Sequence, residues 1–187
     1  MLKPTLTLDN KTIPSSIREE AIKALQYFPE LYDCEITFKF KENIKKSTMQ
    51  AQPIISSLFG KKEDRKYIIL ISKKIQIDTE ELSIFDIPSK VMVGWLGHEL
   101  GHIMDYRSRG FFNMLVFGFK YLYSDAHIKE VERAADVFAI QHGMVDYILE
   151  TKNFILNHAS ISEKYKAKLK RLYLSPEEIM HIVNESA

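Results

Sequence analysis

The sequence HELGH at positions 98–102 is the feature that most constrains how this chain can fold. On an α-helix, the first and last residues of such a segment lie only about 40° apart around the axis and about 6 Å apart along it. The imidazoles of His98 and His102 can therefore bind one metal ion, and Glu99 lies within the same arc. The motif predicts a helix that presents two neutral ligands and a carboxylate able to take a proton from metal-bound water.

The residues around the motif also favour a helix. Pro88 suits the first turn of a helix that runs to about Tyr106, and Gly110 lies just past its end. Within the helix, three glycines fall on one stripe beside the histidines: Gly94, Gly97 and Gly101. Because a glycine in a helix interior costs about 1 kcal/mol relative to alanine, we expect another backbone to pack closely against this stripe.

A catalytic zinc site takes a third protein ligand and leaves one coordination position open. A second helix, capped by Ser124 and ended by Gly143, is predicted to carry Glu132 and Asp136 on one face. Glu132 would ligate the metal. Asp136 could accept the ring N–H of either ligand histidine, which would fix the tautomer of that ring.

Two other carboxylates compete for the third position. Asp105 lies on the same side of the first helix as the two histidines, but one turn further along. Its place near the helix end also suits an ion pair with Arg107 or Arg109. Glu130 points roughly 160° away from Glu132 on the second helix and is predicted to face solvent. The spacing favours Glu132 and leaves Asp105 as the alternative.

The N-terminal half of the chain predicts a helix and a small sheet. Apolar residues recur at helical spacing over positions 14–28. Apolar and polar residues alternate over positions 33–41, which predicts a strand with one buried face, and the Ile-rich run at 66–72 predicts a strand covered on both faces. Between these strands, positions 47–55 contain Pro53, which favours an edge strand or a bulge.

Shorter helices are predicted after Gly143, with breaks near positions 157–162 and at Ser175. The order of helix, strands and then helices predicts an α+β fold. We expect a domain over residues 1–143 and a C-terminal helical extension over residues 144–187 that packs on it. A chain of 187 residues is long enough to bury a sizeable hydrophobic core.

Composition excludes several classes of protein. The chain is 45% hydrophobic and 27% charged, as globular proteins are, and its formal net charge of +1 gives no reason to expect nucleic acid as a partner. Its single cysteine, Cys34, can form no internal disulfide and no Cys-rich zinc site, so a metal must be held by histidine and carboxylate. The N-terminus lacks the pattern of a signal peptide, which predicts a cytoplasmic protein.

An apolar segment at positions 110–123 lies between the two predicted metal-binding helices. Its 14 residues, interrupted by Asn113 and Lys120, fall short of the roughly 20 needed to cross a bilayer, so no transmembrane segment is predicted. The segment either fills the core and lines a substrate pocket, or contacts a membrane surface or a hydrophobic partner. The sequence leaves both alternatives open.

Two segments resemble the gluzincin zinc metallopeptidases: HELGH at positions 98–102, and ERAAD at 132–136 followed by VFAIQHG. The similarity is to the branch that holds the CAAX prenyl endopeptidases, the heat-shock protease HtpX and the soluble minigluzincins, and it covers residues 49–143. It implies a zincin-like fold. In that fold, an N-terminal helix and a small twisted mixed sheet precede the HExxH active-site helix and a second metal-binding helix.

The resemblance also implies roles for individual residues. Glu99 would be the general base, and Asp136 would form a hydrogen bond to a ligand. The implied zinc ligands are His98, His102 and Glu132. In the family, the edge strand binds substrate in extended form and usually carries an Asn-Ala pair. Here that stretch contains the candidate substrate-binding residues Met49, Gln50, Ala51 and Gln52.

These features predict a zinc-dependent endopeptidase that holds one Zn²⁺ per chain and hydrolyses a peptide or protein substrate with Glu99 as general base. Three side chains are available to stabilise the oxyanion and none is singled out: Tyr106, His127 and His142. The alternative is a non-catalytic or regulatory protein, either a metal-dependent sensor or a protease that cuts a single partner. The intact Glu99 favours an enzyme, because a purely structural metal site needs no base beside the metal.

Overall fold

Four strands form a mixed sheet in the described part of the chain. The structure, a computed structural model, describes residues 5–42, 44, 47–77, 80–158, 161 and 163–185. The strands of the sheet are β1 (Lys11–Thr12), β2 (Glu35–Lys41), β3 (Met49–Pro53) and β4 (Lys66–Ser72), in the order β1-β2-β4-β3. The first, second and fourth run parallel, whereas β3 lies antiparallel to β4. The prediction of an edge strand over 47–55 is confirmed.

The two longer strands follow the predicted hydrophobic patterns. In β2, Ile36 and Phe38 are buried, while the exposed residues are Glu35, Lys39 and Lys41. In β4, residues on both faces of the sheet are buried: Tyr67, Ile69, Leu70 and Ile71. A second antiparallel pair, β5 (Lys74–Ile77) and β6 (Glu80–Ser83), was not predicted.

The α-helices of the described residues are α1 (Arg18–Leu25), α2 (Ser89–Ser108), α3 (Phe111–Tyr123), α4 (Asp125–Gln141), α5 (Val145–Asn157), α6 (Glu163–Leu172) and α7 (Pro176–Glu185). The first is shorter than the predicted range of 14–28, because residues 15–17 form a tighter 3₁₀ turn and the chain leaves the helix before Pro29. The mixture of a small sheet and many helices confirms the α+β class.

The two central helices begin and end where the sequence predicts. Helix α2 begins directly after Pro88. At the start of α4, the hydroxyl of Ser124 accepts a hydrogen bond from the backbone N–H of His127 at 3.2 Å. Gly143, two residues beyond the end of α4, has a φ of +84°, a left-handed conformation that favours glycine.

The glycine stripe of α2 lies where neighbouring helices approach most closely. A Cβ atom at Gly101 would overlap the backbone of Ala135 in α4. At Gly94 it would overlap the backbone of Tyr147 in α5. The predicted close approach of another backbone is therefore confirmed, and it comes from both α4 and α5. This packing brings the HELGH segment of α2 against the ERAAD segment of α4.

The C-terminal helices share the hydrophobic core of the rest of the protein. Buried residues after Gly143 pack in the same cluster as Leu96 and Leu100 of α2: Ile148, Ile155, Leu169 and Ile179. The breaks between these helices fall at the predicted positions, since α5 ends at Asn157 and α7 begins directly after Ser175. Among the described residues, no helix combines the length and the hydropathy that crossing a bilayer requires.

Candidate metal centre

Three buried side chains from α2 and α4 converge on one point. One ligand atom from each of His98, His102 and Glu132 lies within 4.8 Å of the others. Oε2 of Glu132 is 3.1 Å from Nε2 of His98 and 3.5 Å from Nε2 of His102. Two imidazole nitrogens and one carboxylate oxygen are the donor set of catalytic zinc sites, so these residues fit a zinc ion.

The charges of this cluster stabilise one another. Burial alone would lower the pKa of His98, but hydrogen bonds to Asp136 and Glu132 outweigh it and raise the pKa to about 10. Burial alone would raise the pKa of Glu132, yet His102 and His98 hold it well below its ordinary value. Glu132 is therefore ionised near neutral pH, which is the form that ligates a metal.

Asp136 lies behind His98. Its Oδ1 atom is 2.9 Å from His98 Nδ1, on the opposite side of the ring from the nitrogen that faces Glu132. Such a contact holds a proton on Nδ1, so Nε2 is the ring nitrogen that would bind a metal. His102 has no equivalent, because its Nδ1 atom is buried without a hydrogen-bond partner among the residues that the structure describes.

A lysine that the sequence analysis missed completes the support of Asp136. Nζ of Lys152, in α5, lies 2.9 Å and 3.1 Å from the two carboxylate oxygens. The backbone N–H of Leu174 also donates to Asp136 at 3.2 Å. One signal in the sequence points to Lys152: it falls between Ile148 and Ile155 on the face of α5 that is directed at the core.

Glu99 is buried between α2 and the edge strand. Its Oε2 atom accepts a hydrogen bond from the backbone N–H of Ala51 at 2.6 Å. Burial raises the pKa of Glu99 more than His102 and His98 lower it. A carboxylate with a raised pKa is suited to accept a proton and to return it during one reaction.

Strand β3 approaches this site through its backbone. Backbone hydrogen bonds of Thr48 and Ile54 to β4 leave Ala51 with its polar groups directed at the free edge. There its N–H meets Glu99, and its carbonyl accepts a hydrogen bond from Tyr106 at 3.3 Å. Among the candidate substrate-binding residues, Met49 and Ala51 are buried, Gln50 is half-buried and Gln52 is exposed.

A small cavity adjoins the site. It has a volume of about 40 Å³ and lies between β3, α2 and α5. Its lining includes His98, Glu99, Asp136 and Lys152 but neither His102 nor Glu132, so it lies on the Asp136 side of His98. The rings of Tyr165 and Tyr173 also line it. A cavity of this size has room for water, which needs roughly 10–15 Å³ for one molecule on the same measure.

Helix α3 contributes a second residue that the sequence analysis missed. The hydroxyl of Tyr121 donates a hydrogen bond to Oε1 of Glu132 at 3.0 Å, which leaves Oε2 for the histidines.

The apolar segment 110–123 has both buried and exposed side chains. Met114 and Phe117 are buried, whereas Val116 and Phe119 are exposed on the surface.

The remaining candidates lie outside the ligand set. Asp105 forms an ion pair with Arg109, with both of its oxygens 2.9 Å from the guanidinium, as the alternative interpretation of its position predicted. Glu130 is exposed beside His127, at 3.4 Å. His142 stacks on Phe28, and its Nε2 atom lies 3.3 Å from a carboxylate oxygen of Glu30. Of the three oxyanion candidates, Tyr106 lies closest to the centre, because its ring stacks on His102.

The arrangement as a whole combines three candidate ligand atoms with a buried carboxylate whose charge interacts with theirs. These are the parts that hydrolysis by a metal-activated water requires. Comparisons of the chain with protein families, with curated proteins and with solved structures found no match.

Proposed function

We propose that the protein is a zinc-dependent endopeptidase with a zincin-like fold, related to the gluzincins. The observation that carries this proposal is the convergence of His98, His102 and Glu132, together with the buried carboxylate of Glu99, whose charge interacts with all three. A structural zinc site is closed by four protein ligands, whereas a set of three leaves a position for water and substrate. The proposed cofactor is one Zn²⁺ per chain.

Each residue of the site has a separate role in the proposed hydrolysis. When bound, zinc would polarise the scissile carbonyl and lower the pKa of water. Glu99 takes a proton from the attacking water and later donates it to the leaving amine, a task for which its raised pKa is suited. Asp136 orients the ligand His98, and Tyr121 orients the ligand Glu132.

The edge strand supports a peptide as substrate. An extended peptide can add to the free edge of a sheet through backbone hydrogen bonds. Strand β3 is the edge strand of the sheet, but the outward N–H and carbonyl of Ala51 are bonded to Glu99 and Tyr106, so an incoming peptide would have to replace these two hydrogen bonds. A peptide that pairs with β3 would therefore pass beside the general base.

Zinc analysis combined with digestion of a peptide library tests the proposal. The wild type should hold about one zinc per chain and cleave peptides. Glu99→Gln should retain zinc, since the amide is nearly isosteric and can still accept the hydrogen bond of Ala51, but should lose activity by about 10²- to 10⁴-fold. Glu130→Gln, which changes an exposed carboxylate of α4, is the matched control and should leave the rate unchanged.

Two outcomes would contradict the proposal. Cleavage by Glu99→Gln at the wild-type rate would assign the base to another residue. A zinc-loaded wild type that cleaves no peptide in the library would favour the alternative, a metal-dependent sensor or a protease restricted to one partner.

A further inference from the structure

A buried ion pair lies behind the candidate ligands. The ammonium of Lys152 contacts both carboxylate oxygens of Asp136, which is fully buried, and the Lys152 side chain is 4% exposed. Buried ion pairs contribute little net stability, because taking both charges out of water costs about as much as their attraction returns. The position of this pair, in direct contact with His98, indicates a role in the metal centre.

The ion pair holds the Asp136 carboxylate in one orientation. Oδ1 contacts His98 Nδ1, while Oδ2 accepts the backbone N–H of Leu174. Lys152 bridges the two oxygens, so a rotation of the carboxylate would break contacts to three separate segments of the chain. With Asp136 fixed, the ring of His98 keeps its Nε2 atom directed at Glu132.

Lys152 is itself held from a second side. Its Nζ atom lies 4.3 Å from the centre of the Tyr173 ring, whose face favours a cation. The same ring is 5.5 Å from the ring of His98. The ammonium therefore occupies a prepared position between Asp136 and Tyr173.

We propose that Lys152 is a positioning residue of the metal centre, which acts through Asp136 to hold His98 in the orientation that binds the ion. This inference rests on the metal site of the proposed function and is independent of whether the bound metal cleaves peptides. It also assigns α5 and the segment at Tyr173 and Leu174 to the support of the site.

The charges make the effects of the two residues interdependent. Removing Lys152 alone leaves the buried carboxylate of Asp136 without its charge partner, held less firmly through His98 and Leu174. Removing the charge of Asp136 alone leaves a buried ammonium that repels a divalent cation. Removing both charges avoids each of these problems, so the two losses should not add.

The test measures zinc affinity by competition with a chromogenic chelator, together with thermal unfolding of the metal-free protein. Lys152→Met should weaken zinc binding by up to about 10-fold, because Lys152 acts one contact further out than the direct partners of metal ligands, whose loss costs roughly 10- to 100-fold. Lys152→Met combined with Asp136→Asn should bind zinc at least as tightly as Asp136→Asn alone. The control is Lys11→Met, which removes another buried lysine whose Nζ donates to the carbonyl of Tyr32. It should lower the unfolding temperature and leave zinc affinity unchanged.

Three results would overturn the inference. The first is wild-type zinc affinity in Lys152→Met, and the second is a double variant whose loss equals the product of the single losses. The third is a wild-type protein that binds no zinc. That result would overturn the proposed function as well, whereas the first two results would leave the proposed function intact. If Lys152→Met does not fold, the neutral double variant still decides the question against Asp136→Asn.

Discussion

Tyr121 donates a hydrogen bond to Glu132, with the phenol oxygen 3.0 Å from Oε1. The two residues lie on consecutive helices, α3 and α4, so the segment that links the helices of the candidate ligands also contacts one of those ligands. Because Oε1 is held by Tyr121, Oε2 is the oxygen that faces His98 and His102. Glu132 is thereby prepared to bind a metal through one oxygen.

Tyr121→Phe should weaken zinc binding about tenfold. Hydrogen bonds to charged groups contribute roughly 1.5–3 kcal/mol, and the loss here falls on the orientation of one ligand. Tyr32→Phe, which removes a hydroxyl that bonds to the carbonyl of Gln26, is the control. Equal zinc affinities for both variants in a chelator competition would show that Tyr121 does not orient Glu132.

Substitutions of three carboxylates should rank in a fixed order of zinc affinity. Glu132→Ala should be the most damaging because it removes a ligand atom. Asp136→Asn should cost about 10- to 100-fold, since the histidines remain but His98 is held less firmly. Asp105→Ala should have almost no effect, because Asp105 pairs with Arg109. If Asp105→Ala proved the most damaging, α4 would not be the ligand helix.

The metal-free protein should lose stability as the pH rises above about 6.5. The pKa of His98 is raised from 6.5 to about 10 by its hydrogen bonds to Asp136 and Glu132, against the opposing effect of burial. A group whose pKa is raised by folding stabilises the folded state fully at pH values below its pKa in the unfolded chain. This stabilisation is lost progressively as the pH rises from that value to the pKa in the folded protein.

Thermal unfolding of the metal-free protein between about pH 6.5 and pH 8.5 measures this effect. Asp136→Asn removes the negative charge beside Nδ1 of His98, so its unfolding temperature should depend less on pH over the same range. An unfolding temperature of the wild type that rises with pH there would contradict the assigned shift. Zinc affinity should increase with pH over this range, because the ion and the proton compete for Nε2 of His98.

Gly101→Ala should destabilise the protein by about 1–3 kcal/mol and weaken zinc binding. The added methyl group would overlap the backbone of Ala135, and relief requires α2 and α4 to move apart. Gly118→Ala in α3 is the matched control, because a Cβ there meets no atom within 4 Å. That variant should be more stable by up to about 1 kcal/mol, the helix preference of alanine. Chemical denaturation of both variants measures the difference.

The parts of the site that the sequence predicts are those set by spacing within one element. The i, i+4 pairs His98/His102 and Glu132/Asp136 follow from helical geometry alone. The meeting of these two pairs was suggested by the glycine stripe, which indicated where α2 would be approached. An edge strand over 47–55 followed from Pro53, which cannot donate a backbone hydrogen bond.

The contacts that the sequence analysis missed join residues from different elements. Lys152 contacts Asp136 from α5. In the sequence alone, a lysine is expected to be a solvated charge unless its position on the core-facing side of the helix is noticed. Tyr121 lies in an apolar segment where a hydroxyl attracts no attention. The hydrogen bond between Ala51 and Glu99 involves a backbone group, which no residue type marks.

The pairing of β3 with β4 fixes which backbone groups meet Glu99. Successive residues of a strand direct their N–H groups to opposite edges of the sheet. A register shift by one residue would place the N–H of Gln50 or Gln52 opposite Glu99, but it would also turn every side chain of β3 to the other face of the sheet. A shift by two residues would preserve the faces but bring Pro53 or Met49 opposite Glu99, and Pro53 has no N–H to donate. Insertions or deletions of a single residue within 49–53 are therefore incompatible with this contact, whereas the segment between β3 and β4 can change in length without altering it.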